Sequence, residues 1–288
     1  SVVIGAIANI VLDPLFIFML DLGIRGAAIA TVLSQCLSAG FVLYFLSKKA
    51  EYKVRLLYKE EIRTCGKDAK NIVSLGTAGF VMQLTNSLVS ICCNNVLSAT
   101  GGDVYVSVMT IISSVRQMIE TPIWSISEGS SPVISYNYGA KRPKKVIEAW
   151  ITMSVLALIY SLIAWSVILF APKFLIGIFS SDKSLMIDTV PAIKLYFSAF
   201  IFMLFQYTGQ TMFKSLNKKK QAIFFSILRK VIIVVPMTYM FPYVFHMGSN
   251  GVFMAEPVSN VIGGSLCFIV MLLTVLPELK QMNSDLSS

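Results

Sequence analysis

The chain has 288 residues, a net charge of +9, 56% hydrophobic and only 14% charged residues, and a mean hydropathy of +0.73. A soluble globular domain carries about 25% charged residues, so this composition excludes that class. Apolar runs of about 20 residues between clusters of charge match bilayer-crossing helices.

In chain order the hydrophobic pattern predicts eight helices, over 2–20, 25–47, 72–99, 104–136, 145–171, 188–213, 221–245 and 252–276. The expected class is therefore an all-α integral membrane protein with eight transmembrane helices. The fourth segment is too long for one span, and Pro122 and Pro132 are expected to kink or end it. Lys and Arg alternate strongly between connections. The segments 48–71, 137–145 and 214–220 and the tail hold seventeen, and the intervening loops hold three. This asymmetry puts the basic segments and both chain ends on the cytoplasmic side of the membrane. The net positive charge is thereby explained without nucleic acid. The stretch "LYKEEIRTCGKDAKN" in the longest basic segment is expected to form an amphipathic helix on the membrane surface. The five cysteines have no metal-ligand spacing, and no nucleotide-binding loop or catalytic triad is present, so no enzymatic activity and no cofactor are expected.

An internal repeat stands out. Gly23, Gly26, Ala30 and Ser34 match Gly248, Gly251, Ala255 and Ser259 at a constant offset of 225 residues. Parallel repeats of this kind build transporters. If helices 1–2 correspond to helices 7–8, helices 3–6 lack counterparts, and four helices are expected upstream. The expected organisation is 1–47 as the last two helices of an N-lobe, 48–71 as a linker, 72–276 as a six-helix C-lobe and 277–288 as a tail.

Charge at bilayer depth is costly and marks function by default. Asp13 is the only ionisable side chain in the first 20 residues, Asn9 lies one helical turn before it, and Pro14 follows. Proline has no N–H, so the carbonyl of Ile10 loses its helical donor. Oxygen ligands of this kind suit Na⁺, or a proton on the carboxylate. The competing structural reading leaves Asp13 at a helix end facing water. Arg116 and Glu120 are spaced to pair within one helix. Glu120 would attract a cationic solute. Glu256 sits at the repeat position of Thr31, one turn into the last helix, where a capping role is expected. Gln83, Asn86, Gln206 and Gln210 are polar groups on apolar spans. With Arg116, Glu120 and Glu256 they form the expected substrate cavity. Lys194, Arg229 and Lys230 are expected to snorkel toward an interface, the last two less readily.

"NIVLDPLFIF" followed by "LGIRGAAIATVLSQ", then "PIWSISEGSSPVISYNYGAKRPKKV" and "GVFMAEPVSN", together resemble the multidrug and toxic compound extrusion (MATE) family, in the branch of bacterial exporters of the MepA type. The resemblance covers essentially the whole chain. It implies a two-lobed, 6+6 transporter with alternating access, driven by Na⁺ or H⁺. Asn9, Asp13 and Thr31 match members of that family's N-lobe cation site, which also takes an acidic group from the first helix. Asn86 stands where many members carry Glu, which shifts the expected coupling to the N-lobe. The implied function is export of organic, cationic drugs or toxins by a monomer in the lipid bilayer. The alternative is a lipid-linked oligosaccharide flippase of a related two-lobed fold, which would need a more strongly cationic cavity to hold pyrophosphate.

Overall fold

The computed structural model describes residues 2–49, 66–180 and 182–285, with side chains between 66 and 82 described only at 69, 73 and 80. The chain divides into two compact units, Ser1–Ile72 and Val73–Ser288.

In the first unit, α1 (Val2–Pro14) widens after Pro14 into a π-helical turn, Leu15–Met19. A tight reversal then leads into α2 (Gly23–Tyr44), which packs back on α1. The next element, α3 (Gly66–Gly139), belongs to the second unit from Val73 on and is two helices joined at Gly102, whose φ of 68° and ψ of −169° suit glycine alone. It is followed by α4 (Pro143–Phe170), the short α5 (Pro172–Phe179), α6 (Lys183–Tyr196), α7 (Phe200–Ser215) and α8 (Lys219–Ile227). A π-helical stretch, Leu228–Val234, connects α8 to α9 (Val235–Tyr243). Another, Asn260–Gly264, connects α10 (Ser249–Ser259) to α11 (Ser265–Asp285).

Among the described residues, six helical segments are long and apolar enough to cross a bilayer, and the pair α6–α7, bent by 50°, makes a seventh. At 57 residues the segment Gln83–Gly139 is too long for one crossing, and the break at Gly102 divides it into two, which makes eight among the described residues. On α4 the buried residues Val146, Met153, Ala157, Ser161, Ala164 and Ile168 form one stripe, while Ile151, Val155, Leu158, Ile159, Leu162 and Ile163 are exposed. Such a surface is stable against lipid and not against water. The chain is a multi-pass membrane protein.

Two expectations are corrected. Pro122 and Pro132 neither end nor break α3, which continues to Gly139. Thr121, Ser125 and Ser130 beside them donate hydroxyl hydrogen bonds of 2.6–2.8 Å to carbonyls one turn back, at Gln117, Thr121 and Ile126. The expected single helix over 188–213 is broken at residues 197–199. There the indole of Trp165 donates to the carbonyl of Phe197 at 2.9 Å, alongside the N–H of Phe200 at 3.1 Å. The expected amphipathic surface helix lies, over residues 57–65, outside the described residues.

The 225-residue repeat extends to backbone detail within each unit. Asp21 and Gly23 have φ of 51° and 50°, and their counterparts His246 and Gly248 have 55° and 56°. Leu20 N–H donates to Leu15 O as Phe245 N–H does to Met240 O, and Leu22 to Phe16 as Met247 to Phe241. A Cβ on Gly26 would lie 2.5 Å from Phe16 O, and one on Gly251 would lie 2.8 Å from Phe241 C. Equivalent glycines thus admit equivalent close approaches of the chain.

The second unit has two apolar cores. One gathers Val115, Ile119, Met203, Leu204, Val234, Val252 and Phe253, and the other Met212, Phe213, Ala222, Phe225, Cys267 and Met271. On three segments the polar residues fall in sequence between the two cores: Gln206 and Gln210 on α7, Arg229 and Lys230 after α8, Glu256 and Asn260 after the start of α10. A charged layer therefore lies between two apolar ones.

Candidate functional site

The charged layer owes its position to the π-helical stretches. Pro236 follows Leu228–Val234, and the N–H of Val235 reaches back five residues to Lys230 O. Pro257 precedes Asn260–Gly264, and the N–H of Asn260 is shared between Glu256 O and Pro257 O. Pro236 removes the donor that a regular turn would bring to Ile232 O, and the turn widens there; the stretch after Pro257 has no such direct cause. The adjacent glycines let the widened turn approach its neighbours. A Cβ on Gly263 would stand 2.9 Å from Arg229 Cγ, and one on Gly264 would collide with the carbonyl oxygen of Phe202.

Arg229 and Lys230 do not snorkel; they are 8% and 6% exposed. Glu256, 5% exposed, does not cap its helix either. The helix begins at Ser249, which places Glu256 two turns in, where its carboxylate meets Arg229 Nη1 at 3.2 Å and Lys230 Nζ at 3.1 Å. Arg229 Nη1 also donates to Asn260 Oδ1 at 2.5 Å. Burying these charges is tolerable because they pair and hydrogen-bond.

Arg116 and Glu120 pair along α3 as expected, at 3.4 Å. Each also has a tertiary partner that spacing could not reveal. Arg116 Nη1 donates to the hydroxyl of Tyr196 at 2.8 Å, and the hydroxyl of Tyr207 donates to Glu120 at 3.2 Å. Glu128 pairs with Lys214 at 2.9 Å at the rim.

All seven expected cavity residues line three adjoining hollows of the second unit, joined through Asn86. An outer hollow of about 390 Å³ has Gln83, Trp124, Glu128, Gln210 and Lys214 in its wall. A middle one of about 100 Å³ is lined by Arg116, Glu120, Gln206, Gln210, Arg229 and Lys230. The inner one, about 60 Å³, reaches Glu256 between Arg116, Tyr196 and Lys230. Tyr196, Tyr207 and Asn260 were not singled out in the sequence. For Asn260 the signal was present, since it lies four residues after Glu256 on the same face.

In the first unit Asn9 Nδ2 donates to Asp13 Oδ1 at 3.2 Å, with both side chains part-buried. Thr31 does not join them. It is exposed, and its hydroxyl donates to Ala27 O at 2.9 Å in its own helix. Among the described residues no group of three or more His, Cys, Asp or Glu could hold a metal ion.

A family profile described as MatE matches residues 79–240, more than half of the chain. The chain is 26% identical over 277 residues to the multidrug export protein MepA of Staphylococcus saprophyticus, covering 94% of this chain and 58% of that protein. To MepA of Staphylococcus aureus it is 26% identical over 272 residues, covering 93% and 57%. It thus spans less than two thirds of the length of these relatives. Its fold matches a MOP superfamily transporter from Pyrococcus furiosus with a TM-score of 0.85 at 24% identity, over 98% of this chain and 62% of that one. An outward-facing multidrug resistance MATE family transporter matches with a TM-score of 0.85 at 24% identity, over 97% and 61%. The profile match, the aligned relatives and the helical fold agree with the motifs, and the chain is a MepA-like member of the MATE family, a family of non-enzymatic transport proteins.

Proposed function

We propose that the protein exports organic solutes across the bacterial plasma membrane in exchange for Na⁺ or H⁺, as a monomer with both chain ends on the cytoplasmic side. The observation that carries the coupling is the Asn9–Asp13 pair. It is an amide and a carboxylate 3.2 Å apart on the apolar α1, followed directly by Pro14. Residues 1–47 and 72–276 act as parts of two lobes, joined through 48–71. Cation or proton binding neutralises Asp13, and the neutral form favours one facing of the lobes. Coupling then requires only that ion and solute bind the two facings with different affinities.

The second unit supports a solute site and argues against a second cation site. Lys230 places a tethered ammonium against Glu256, the acid at the repeat position of Thr31. The flippase alternative is less well supported. Pyrophosphate needs a cavity with several uncompensated cations, and here Arg116, Arg229 and Lys230 share the carboxylates of Glu120 and Glu256, which leaves an excess of one charge.

The test is Asp13→Asn in cells expressing the transporter. Ethidium efflux driven by an imposed Na⁺ or H⁺ gradient should be lost while membrane insertion is unchanged. Normal gradient-driven efflux by this variant refutes the reading.

A further inference from the structure

The middle hollow of the second unit holds more positive than negative charge. Arg116, Arg229 and Lys230 face it, with Glu120 opposite and Glu256 reaching the same group from the inner hollow. Three cations therefore meet two carboxylates. The nearby Glu128–Lys214 pair is neutral and changes nothing. Both carboxylates are committed, Glu120 to Arg116 and Tyr207, Glu256 to Arg229 and Lys230. The cations are not. A guanidinium has five donors and an ammonium three. Among the described residues Arg229 makes its side-chain contacts here through Nη1, and Arg116 through Nε and Nη1. Donors remain on both.

A second observation comes from Gln206. It is 3% exposed and lines the same hollow, yet its Oε1 is buried without a hydrogen-bond partner among the described residues. An orphaned buried acceptor is costly to keep, so it marks a place where a donor belongs. An uncompensated positive charge at this depth is costlier still. One ligand relieves both: an anionic group for the cations, bearing or accompanied by an O–H or N–H for Gln206.

We propose that the hollow between Arg116, Arg229, Lys230 and Gln206 is a subsite for one monoanionic group, the carboxylate of an exported organic solute or a small inorganic anion. Its volume of about 100 Å³ suits a carboxylate or a few waters and excludes the body of a drug-sized solute, which the outer hollow of about 390 Å³ receives. This deepens the export reading, on which it rests for its biological sense, by assigning acidic or zwitterionic solutes to the second unit. The cationic class expected from Glu120 is less well supported, since that carboxylate is already engaged by Arg116 and Tyr207.

The test is calorimetric titration of the full chain in lipid nanodiscs at low ionic strength, with sodium mandelate, sodium benzoate, sodium chloride and sodium pyrophosphate as probes. Saturable binding of a monoanion is expected. Lys230→Met, which makes the cluster neutral, should weaken it at least about tenfold. Glu256→Gln, which raises the excess charge, should strengthen it. A merely structural ion pair would give loss in both variants, so parallel weakening overturns the proposal. So does the absence of monoanion binding, or tighter binding of pyrophosphate than of any monoanion. Mandelate binding more tightly than benzoate, with chloride as a weak competitor, assigns the site to organic acids that carry a donor for Gln206. Chloride binding alone assigns it to an inorganic anion. Binding reads the second unit without transport. Intact binding with Asp13-independent efflux strikes only the export reading, and absent binding with Asp13-dependent efflux strikes only this one.

Discussion

The carboxylate of Glu256 lies 3.1 Å from the ammonium of Lys230, and at the equivalent positions 225 residues earlier the chain has Thr31 and Gly5. One half of the repeat thus buries an ion pair where the other has a hydroxyl and a bare backbone. Removing one partner of a buried pair leaves an uncompensated charge, which costs about 3–5 kcal/mol. Glu256→Ala strands both Arg229 and Lys230. It should lower the thermal melting midpoint of the detergent-solubilised chain markedly, and Glu256→Gln should lower it less because the amide oxygen still accepts.

In the first unit the amide of Asn9 is a supporting group. Its hydrogen bond to Asp13 is a neutral-to-charged one, worth about 1.5–3 kcal/mol. Asn9→Ala should therefore raise the cation concentration for half-maximal efflux by at least about tenfold while leaving the maximal rate measurable. Asp13→Asn should abolish coupling outright. Identical behaviour of the two variants in a cation titration of efflux would remove the distinction.

Close approach at Gly264 gives a packing prediction. A Cβ there would strike the carbonyl oxygen of Phe202 in α7, whereas a Cβ on Gly40 would meet nothing within 4 Å. Gly264→Ala should destabilise by about 1–3 kcal/mol through overpacking. Gly40→Ala, inside α2 and unobstructed, should be neutral or slightly stabilising. Melting of the two variants side by side separates the local clash from the general effect of adding a methyl group.

Asp182 caps α6 from outside the spans. Its Oδ1 accepts from the N–H and the hydroxyl of Ser184, at 2.8 and 2.7 Å, and these bonds hold its carboxyl below the usual 3.8. A depressed folded value means the cap is fully present above the unfolded value and is lost as pH falls through the folded one. Amide exchange at Ser184, corrected for its intrinsic pH dependence, should stay protected at neutral pH and lose protection in strong acid. Asp182→Ala should show the unprotected rate throughout.

Much of the fold is legible because a bilayer imposes a one-dimensional rule. Segment length and the absence of charge mark a span, so the eight crossings follow from the apolar runs. The repeat was visible in Gly23, Gly26, Ala30 and Ser34 because those positions carry steric demands that few residues meet. The bend after Tyr196 was not visible. Nothing in "LYFSAF" resembles a helix breaker, and the break is held by Trp165, 32 residues earlier. The continuation of α3 through Pro122 and Pro132 ran against local propensity.

Taken by itself, the sequence determined that the chain lies in a membrane, how many apolar runs could cross it and which helices repeat. Each of these follows from hydropathy, from glycine sterics or from the cost of charge in hydrocarbon, and all are local. The tertiary structure alone decided the pairings. Glu256 belongs to Arg229 and Lys230, Glu120 is shared with Tyr207, and Arg116 reaches Tyr196 across 80 residues of chain. Low-dielectric burial gives such contacts their strength, but which of them form depends on how π-turns, prolines and glycines bring distant helices together.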